Sequence, residues 1–528
     1  MYAQLERRLA YLQATEIKSL LRTGKKGVEK ESLRVSPRTD RLAKTPHPPA
    51  LGSALTHPYI VTDYSEAQLE LVTPPLEDVD ALLHFQSDLH RYIYANLGDE
   101  LLWSTSMPCV VADEMSVPIA RFGTSNQGRM KHIYRRGLEL RYRRIMQIIS
   151  GVHFNYSIPE SIWPYLQQME GNRDDEQEFM SAAYFGLSRN ALRYEWLVTY
   201  LFGCSPAMCK SFWAGLMGPF SELDSHTDFE LYATSLRMSN VGYKNQAPEM
   251  LSVSYDSLSA YVSSLHHAVG TPWPAYAAKG IEVDGEYRQL NANILQIENE
   301  FYGSIRPKQI AVNGERPLLA LARRGVRYVE MRSLDVNAFE PVGVSAEQLR
   351  FLEAFLLFCL LHESPKMGRR SEEEAQHNQA LVALKGRMPG LQLLQHGAER
   401  PLQTWALELL DRIEDLCDLL DTDLPDRPYT HALQLQREAV LDSKRTPSAR
   451  MLAAMHETDE PFYHFAHLMS EQHRLTFLAD PADPELMQRY AELAARSLRE
   501  HAELEARPQL AFDEYLRQFD AQLADVTW

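Results

Sequence analysis

Five short segments of the chain alternate with period two, and one face of the alternation is rich in carboxylates: Gly27–Val35, Ser65–Thr73, Gly151–Ser157, Asn293–Tyr302 and Gly325–Leu334. Successive side chains of a β-strand point to opposite sides, so residues two apart share a face. Glu29 and Glu31 then lie together, as do Glu66, Gln68 and Glu70 on the second segment. His153 and Asn155 oppose Val152, Phe154 and Tyr156 on the third. On the fourth, Gln296, Glu298, Glu300 and Tyr302 oppose Leu295, Ile297 and Phe301; on the fifth, Tyr328, Glu330 and Arg332 align. An antiparallel sheet wetted on one face is the plain reading of any single segment. Solvent faces, however, mix lysine and threonine with glutamate, whereas these carry repeated acids with single histidine and arginine residues. The set predicts an α+β fold: a curved sheet with an apolar outside packed on helices and a polar channel inside.

Converging carboxylates repel one another and require cations. Oxygen donors with one histidine suit hard ions, magnesium or alternatively manganese, better than zinc. Magnesium held by carboxylates usually keeps positions for substrate phosphates, which points to a nucleotide triphosphate seated on metal. A glycine-loop route is not available, because Gly24–Lys25–Lys26–Gly27 lacks the spacing and the Ser or Thr of a P-loop. No G-x-G-x-x-G, G-x-S-x-G or H-E-x-x-H occurs either.

The net charge of −17 argues against nucleic acid or an anionic membrane as partner, since both demand basic patches. The Met1–Thr15 stretch, with Glu6, Arg7 and Arg8, has no apolar signal region, and Ala354–Leu361 is too short to span a bilayer. Cys109, Cys204, Cys209, Cys359 and Cys417 are scattered without zinc-ligand spacing and suit a reducing cytoplasm.

Helical periodicity marks Leu5–Leu21, Val79–Leu97, Met130–Ile149, Ser188–Leu201, Ala346–His362, Gln403–Leu420 and Pro484–Ala506. Beyond about Val344 nearly everything reads as helix, with Arg369–Gln376 and Asp421–Pro428 as exposed connections. The predicted division is a catalytic region over 1–364 and a helical region over 365–528 packed on it.

The acid-rich segments also carry a resemblance. It begins with G-V-E-K-E-S-L-R-V (Gly27–Val35), A-L-G-S-A-L-T-H-P (Ala50–Pro58) and T-D-Y-S-E-A-Q-L-E-L-V-T-P (Thr62–Pro74). It continues through S-M-P-C (Ser106–Cys109), F-G-T-S-N-Q-G-R (Phe122–Arg129) and I-S-G-V-H-F-N-Y-S (Ile149–Ser157). Then come Y-A-T-S-L-R-M-S (Tyr232–Ser239), L-Q-I-E-N-E-F-Y (Leu295–Tyr302), I-R-P-K (Ile305–Lys308) and Y-V-E-M-R-S-L-D (Tyr328–Asp335). In this order the blocks resemble glutamate–cysteine ligase (gamma-glutamylcysteine synthetase) of the single-chain bacterial type.

The resemblance implies a fold similar to the catalytic domain of glutamine synthetase, an antiparallel sheet curved into a funnel with helices outside. It implies ATP- and magnesium-dependent ligation of the glutamate γ-carboxylate to the cysteine amine through an acyl phosphate. Glu29, Glu31, Glu70, His153 and Glu330 correspond to metal ligands, with Asp63 a further acid that could instead stabilise a turn. Arg332 corresponds to a group on the ATP phosphates, a salt bridge to Glu330 being the alternative. Arg237 corresponds to the grip on a substrate carboxylate, a surface arginine being the alternative. Tyr64, Tyr134, Tyr243 and Tyr302 correspond to the walls of a cysteine pocket, though each could serve as core, and Tyr64 stands where phenylalanine is common. The implied partners are glutamate, cysteine and ATP, on a monomer. A ligase using another amine on the same fold, or a non-catalytic nucleotide sensor, stays open at this point.

Overall fold

The computed structural model describes residues 2–212, 220–240, 251–312, 314–480 and 483–526. At four of the five alternating segments the period-two pattern becomes sheet. The strands are β1 (Lys25–Val35), β2 (Ile60–Thr62), β3 (Gln68–Val72), β4 (Leu101–Leu102), β5 (Gly151–Ser157), β6 (Ile305–Lys308) and β7 (Tyr328–Asp335). They run in the order β6-β7-β5-β1-β3-β2, with β4 paired to the end of β1, and every pairing is antiparallel. Edges β2 and β6 do not pair, so the sheet is open and not a barrel.

The helices that frame the sheet are α1 (Val79–Asn96), α2 (Asn126–Tyr142), α3 (Glu176–Phe202), α4 (Ala346–Leu361), α5 (Arg369–Lys385) and α6 (Phe512–Ala521). Asp78, Ser125, Asp175 and Ser345 cap α1 to α4 by accepting first-turn amides that otherwise lack partners. Val152, Phe154 and Tyr156 of β5 and Val329, Met331 and Leu334 of β7 enter one core with Trp196 of α3 and Phe355 of α4. Leu409 and Ile413, from the helix Leu402–Leu420, join that same core. Each such side chain contributes about 1.5–3 kcal/mol on burial, so the outer face anchors the sheet and leaves the inner face free for chemistry.

Two expectations for the strands fail, each for a physical reason. On β1 the outer face is cationic instead of apolar. Lys26 pairs with Glu353 of α4 at 2.7 Å, Lys30 lies 2.9 Å from His90 of α1, and Arg34 reaches Glu100 at 2.8 Å. Glu353 and Glu100 neutralise Lys26 and Arg34, whereas Lys30, with only an imidazole beside it, is pushed down to about 7 by burial. The segment Asn293–Tyr302 is no strand but a loop with a short turn at Glu298–Glu300. Its acids are spent internally: Glu298 takes Arg316 at 2.7 Å and Glu300 takes Arg141 of α2 at 2.9 Å.

The helix expectations hold for Val79–Asn96, Ala346–Leu361, Leu402–Leu420 and Pro484–Ala506, each within one residue. Helix α2 starts at Asn126 and stops at Tyr142, α3 reaches back to Glu176, and the first helix ends at Ala14. Arg369–Gln376 is the start of α5 and not a connection, since its charged turns are the exposed side of a continuous helix. The helical second part also contains a hairpin, Gln392–Gln395 with Ala398–Pro401. Among the described residues no helix is long and apolar enough to cross a membrane.

Candidate active site

The inner face of the sheet opens on a cavity of about 1740 Å³. Strand register decides which side chains share it. β1 sets Glu29 opposite His153 and Glu31 opposite Glu70, while β7 sets Glu330 opposite Asn155. His153 Nδ1 lies 3.0 Å from Glu29 and 3.8 Å from Glu330, and its Nε2 lies 3.5 Å from Glu31. Asn155 donates to Glu29 at 2.8 Å, and the Gly151 amide donates to Glu31 at 2.7 Å. Ligand atoms of Glu29, His153 and Glu330 all fall within 4.8 Å of one another, a spacing that one cation can bridge.

Charge is distributed unevenly along this face. Burial works against ionised Glu330, yet Lys308, Arg332 and Arg306 hold its carboxyl well below the usual range. Lys308 stands 3.0 Å away and Arg332 3.2 Å away. Glu29 is likewise disfavoured by burial but lowered by its bond to His153. At the other end, burial and then the charges of Asp63, Glu29 and Glu31 push Glu70 well up. Glu31 is raised by burial too, and Asp63 adds to it. Asp63, with its side chain 38% exposed, sits at the cavity edge, 4.0 Å from Arg135. The Glu31–Glu70–Asp63 end thus holds more negative charge than Arg135 and its other neighbours offset, a bound divalent ion would supply the difference, and its donors are the hard oxygens magnesium prefers.

Arg237 enters from a turn behind β7. A register shift between Met331 and Leu334 bulges the strand, so Leu334 joins the outer core while Asp335 turns toward Arg237, 3.7 Å away. Bulges commonly re-aim side chains beside sites. Asp335 also accepts from Ser205 at 2.6 Å and Ser235 at 3.0 Å, tying down the turn that carries Arg237. The guanidinium donates to the Arg332 carbonyl at 2.7 Å. It lies against Gly151, where a Cβ would come within 2.2 Å of Nη2.

Tyr64, Tyr134 and Tyr302 line the cavity and pack in one cluster. Tyr64 is buried, Tyr302 points its hydroxyl to Gln147 at 3.3 Å, and its ring meets Tyr142 edge-on. Tyr243 lies outside the described residues. Every other residue predicted for the site, from Glu29 and Glu31 through Asp63, Glu70, His153, Arg237, Glu330 and Arg332, borders this one cavity.

The chain matches the family described as Glutamate-cysteine ligase over residues 9–382. It belongs to the glutamate–cysteine ligase family. It is 46% identical over 523 residues to a glutamate–cysteine ligase of Pseudomonas putida, covering 99% of each chain. To the glutamate–cysteine ligase of Pseudomonas aeruginosa it is 47% identical over 519 residues, covering 98% of each. The structure superposes on that of the Francisella tularensis glutamate–cysteine ligase in complex with AMP with TM-score 0.90 and 36% identity, covering 96% of this chain and 99% of that one. A bifunctional glutathione synthetase of Pasteurella multocida shares the fold at TM-score 0.73 and 22% identity, over 93% of this chain and 58% of that chain.

Several cavity residues of this family member escaped the strand reading. Arg306 and Lys308 alternate on β6, and the register sets Arg306 directly opposite Glu330. Their i, i+2 spacing was a usable signal. Lys131 and Arg135 come from α2, and Glu195 comes from α3. Nothing in helical periodicity marks those three as facing a site.

Proposed function

We propose that the protein joins the γ-carboxylate of L-glutamate to the amine of L-cysteine at the expense of ATP, giving γ-glutamylcysteine, ADP and phosphate, the first step of glutathione biosynthesis. One arrangement supports this reading above all. In a chain of this family, an acid cluster short of cations adjoins a cationic end made by Arg306, Lys308 and Arg332 in a single cavity.

In this reading Glu29, Glu31, Glu70, His153 and Glu330, with Asp63 beside them, hold magnesium or manganese. When bound, the metal supplies positive charge and Lewis acidity for the polyphosphate of ATP. AMP in the Francisella tularensis structure is consistent with a nucleotide here. Arg332 and Lys308 stabilise charge on the transferring phosphoryl group, a role suited to fixed cations in a site shielded from water. Arg237 grips the glutamate α-carboxylate with its planar fork. The γ-carboxylate attacks the terminal phosphorus and ADP leaves; the cysteine amine then attacks the carbonyl carbon and phosphate leaves. Tyr64, Tyr134 and Tyr302, with Tyr243, would wall the cysteine thiol, since aromatic rings make favourable contacts with sulfur.

The finer architecture belongs to the same proposal: the sheet as a glutamine-synthetase-like funnel in residues 1–364, with 365–528 packed on it. The second region supplies part of the cavity wall, through Arg369 and Gln376 of α5 and Tyr515 and Phe519 of α6. A cytoplasmic monomer acting on small molecules, without nucleic acid or membrane, completes the reading. The test is phosphate release from ATP and magnesium with glutamate, with and without cysteine, the product identified by mass. Cysteine-dependent release of the γ-glutamyl dipeptide is expected. Release only with a different amine would move the chain to another ligation, and no turnover with any amine would end the enzyme reading.

A further inference from the structure

Glu195 of α3 is a buried carboxylate on the cavity wall that the reaction above leaves without a task. Other acids of the wall outside the metal cluster are accounted for: Glu315 pairs with Arg324 and Glu373 with Arg369, while Glu372 is only partly covered. Glu195 is 6% exposed. Ser304 donates to one of its oxygens at 2.7 Å. The other oxygen is buried and has no hydrogen-bond partner of good geometry, although the Ser333 hydroxyl is near. Burial pushes this carboxyl up to about 7, as expected of an acid that lacks a cation of its own.

Its position relative to Arg237 gives it a meaning. The Arg332 amide donates to the Ser304 carbonyl at 2.7 Å, and the Arg332 carbonyl accepts from Arg237 at 2.7 Å. Glu195, held by Ser304, and Arg237 therefore flank the same bulged residue of β7. An anion receptor and a cation receptor set around one peptide complement the two charges of an α-amino acid.

We propose that Glu195 receives the α-ammonium group of the glutamate whose α-carboxylate is gripped by Arg237, an inference that rests on the ligase reading above. Cysteine is the wrong candidate for this contact, because its amine must be free base to attack. Glutamate's own amine, by contrast, has to be kept from its γ-carbonyl, on which it would close a five-membered lactam. A buried carboxylate that holds it as ammonium keeps it non-nucleophilic and turned aside.

The test compares E195Q with the wild type on glutamate and on glutarate, which has the same chain without the amine. The quantity read is the ratio of kcat/KM for the two acids, or of their inhibition constants if glutarate is not turned over. A charge-assisted hydrogen bond lost from glutamate alone lowers that ratio at least about 10-fold. A merely structural role would weaken both acids together and leave the ratio unchanged, and a ratio within twofold of wild type overturns the proposal. If E195Q does not fold, E195D, which withdraws the charge by one methylene, is read in its place, with the same direction expected and an unchanged ratio overturning it. A wild type that does not ligate glutamate at all would overturn the ligase reading itself, so the two failures are distinct.

Discussion

Gly151→Ala tests the seating of Arg237 without removing any charged group. The new Cβ would lie 2.2 Å from Nη2, 2.6 Å from Cζ and 2.9 Å from Nε of Arg237. Ordinary contact with carbon needs about 3.5 Å, so the guanidinium must retreat by roughly 1 Å. The bond to the Arg332 carbonyl, now 2.7 Å, would then be lost. A charged hydrogen bond contributes about 1.5–3 kcal/mol, and a displacement near 1 Å in a positioning group can cost on the order of 100-fold. The expected result is a fall of about 10–100-fold in kcat/KM for glutamate, with KM for cysteine within about twofold. The fold itself should persist, because Gly151 opens strand β5 and the group that moves is the end of a flexible side chain. Initial rates against glutamate at saturating ATP and cysteine measure this. Adding Gly151→Ala to Arg237→Ala should cost little more, since both act through one contact. Full activity in Gly151→Ala, with intact thermal unfolding, would refute the placement of Arg237 on glutamate.

Other consequences can be checked in the same preparations. Glu70→Gln removes a carboxylate disfavoured by burial and by Asp63, Glu29 and Glu31, so the metal-free protein should unfold at a higher temperature while the gain from added magnesium shrinks. Thermal scans with and without magnesium decide this, and a lower metal-free midpoint would contradict it. Lys26→Met leaves the buried Glu353 with the Tyr429 hydroxyl but no cation and should cost about 3–5 kcal/mol by urea unfolding, with part of it recovered in the double variant Lys26→Met/Glu353→Leu. His362 and His473 are each held down to about 4 by burial. Their folded pKa lies below the unfolded one, so their contribution is full above about pH 6.5 and is lost as pH falls from there toward 4. His473→Asn should flatten the fall in the unfolding midpoint between pH 7 and pH 5; an unchanged slope would refute its part.

Parity along a strand made much of the site readable. Glu29 with Glu31, His153 with Asn155 and Glu330 with Arg332 share faces for reasons that need only the period of two. Convergence of those faces needed pairing partners: nothing local states that Glu31 faces Glu70 across β1 and β3. Where the local rule misled, a distant partner was responsible. Glu298 and Glu300 look like their counterparts on β1, but Arg316 and Arg141 claim them. Asp335 was hidden by the bulge, which reverses parity two residues after Arg332. Glu195 lies in a helix that is buried almost all round, where periodicity carries no sign of a cavity. The start of α5 was misread because charged, exposed turns of a helix and a charged loop look alike without the buried Val382 and Ala383 that follow.

The central claim is that a glutamate oxygen becomes bonded to phosphorus before the amine arrives, and isotope transfer addresses it most directly. Glutamate carrying oxygen-18 in its γ-carboxylate is turned over with ATP, magnesium and cysteine, and the inorganic phosphate is weighed. The account predicts one labelled oxygen in each phosphate released. Unlabelled phosphate, with one label atom kept in the γ-glutamyl amide and the other lost to water, would contradict it.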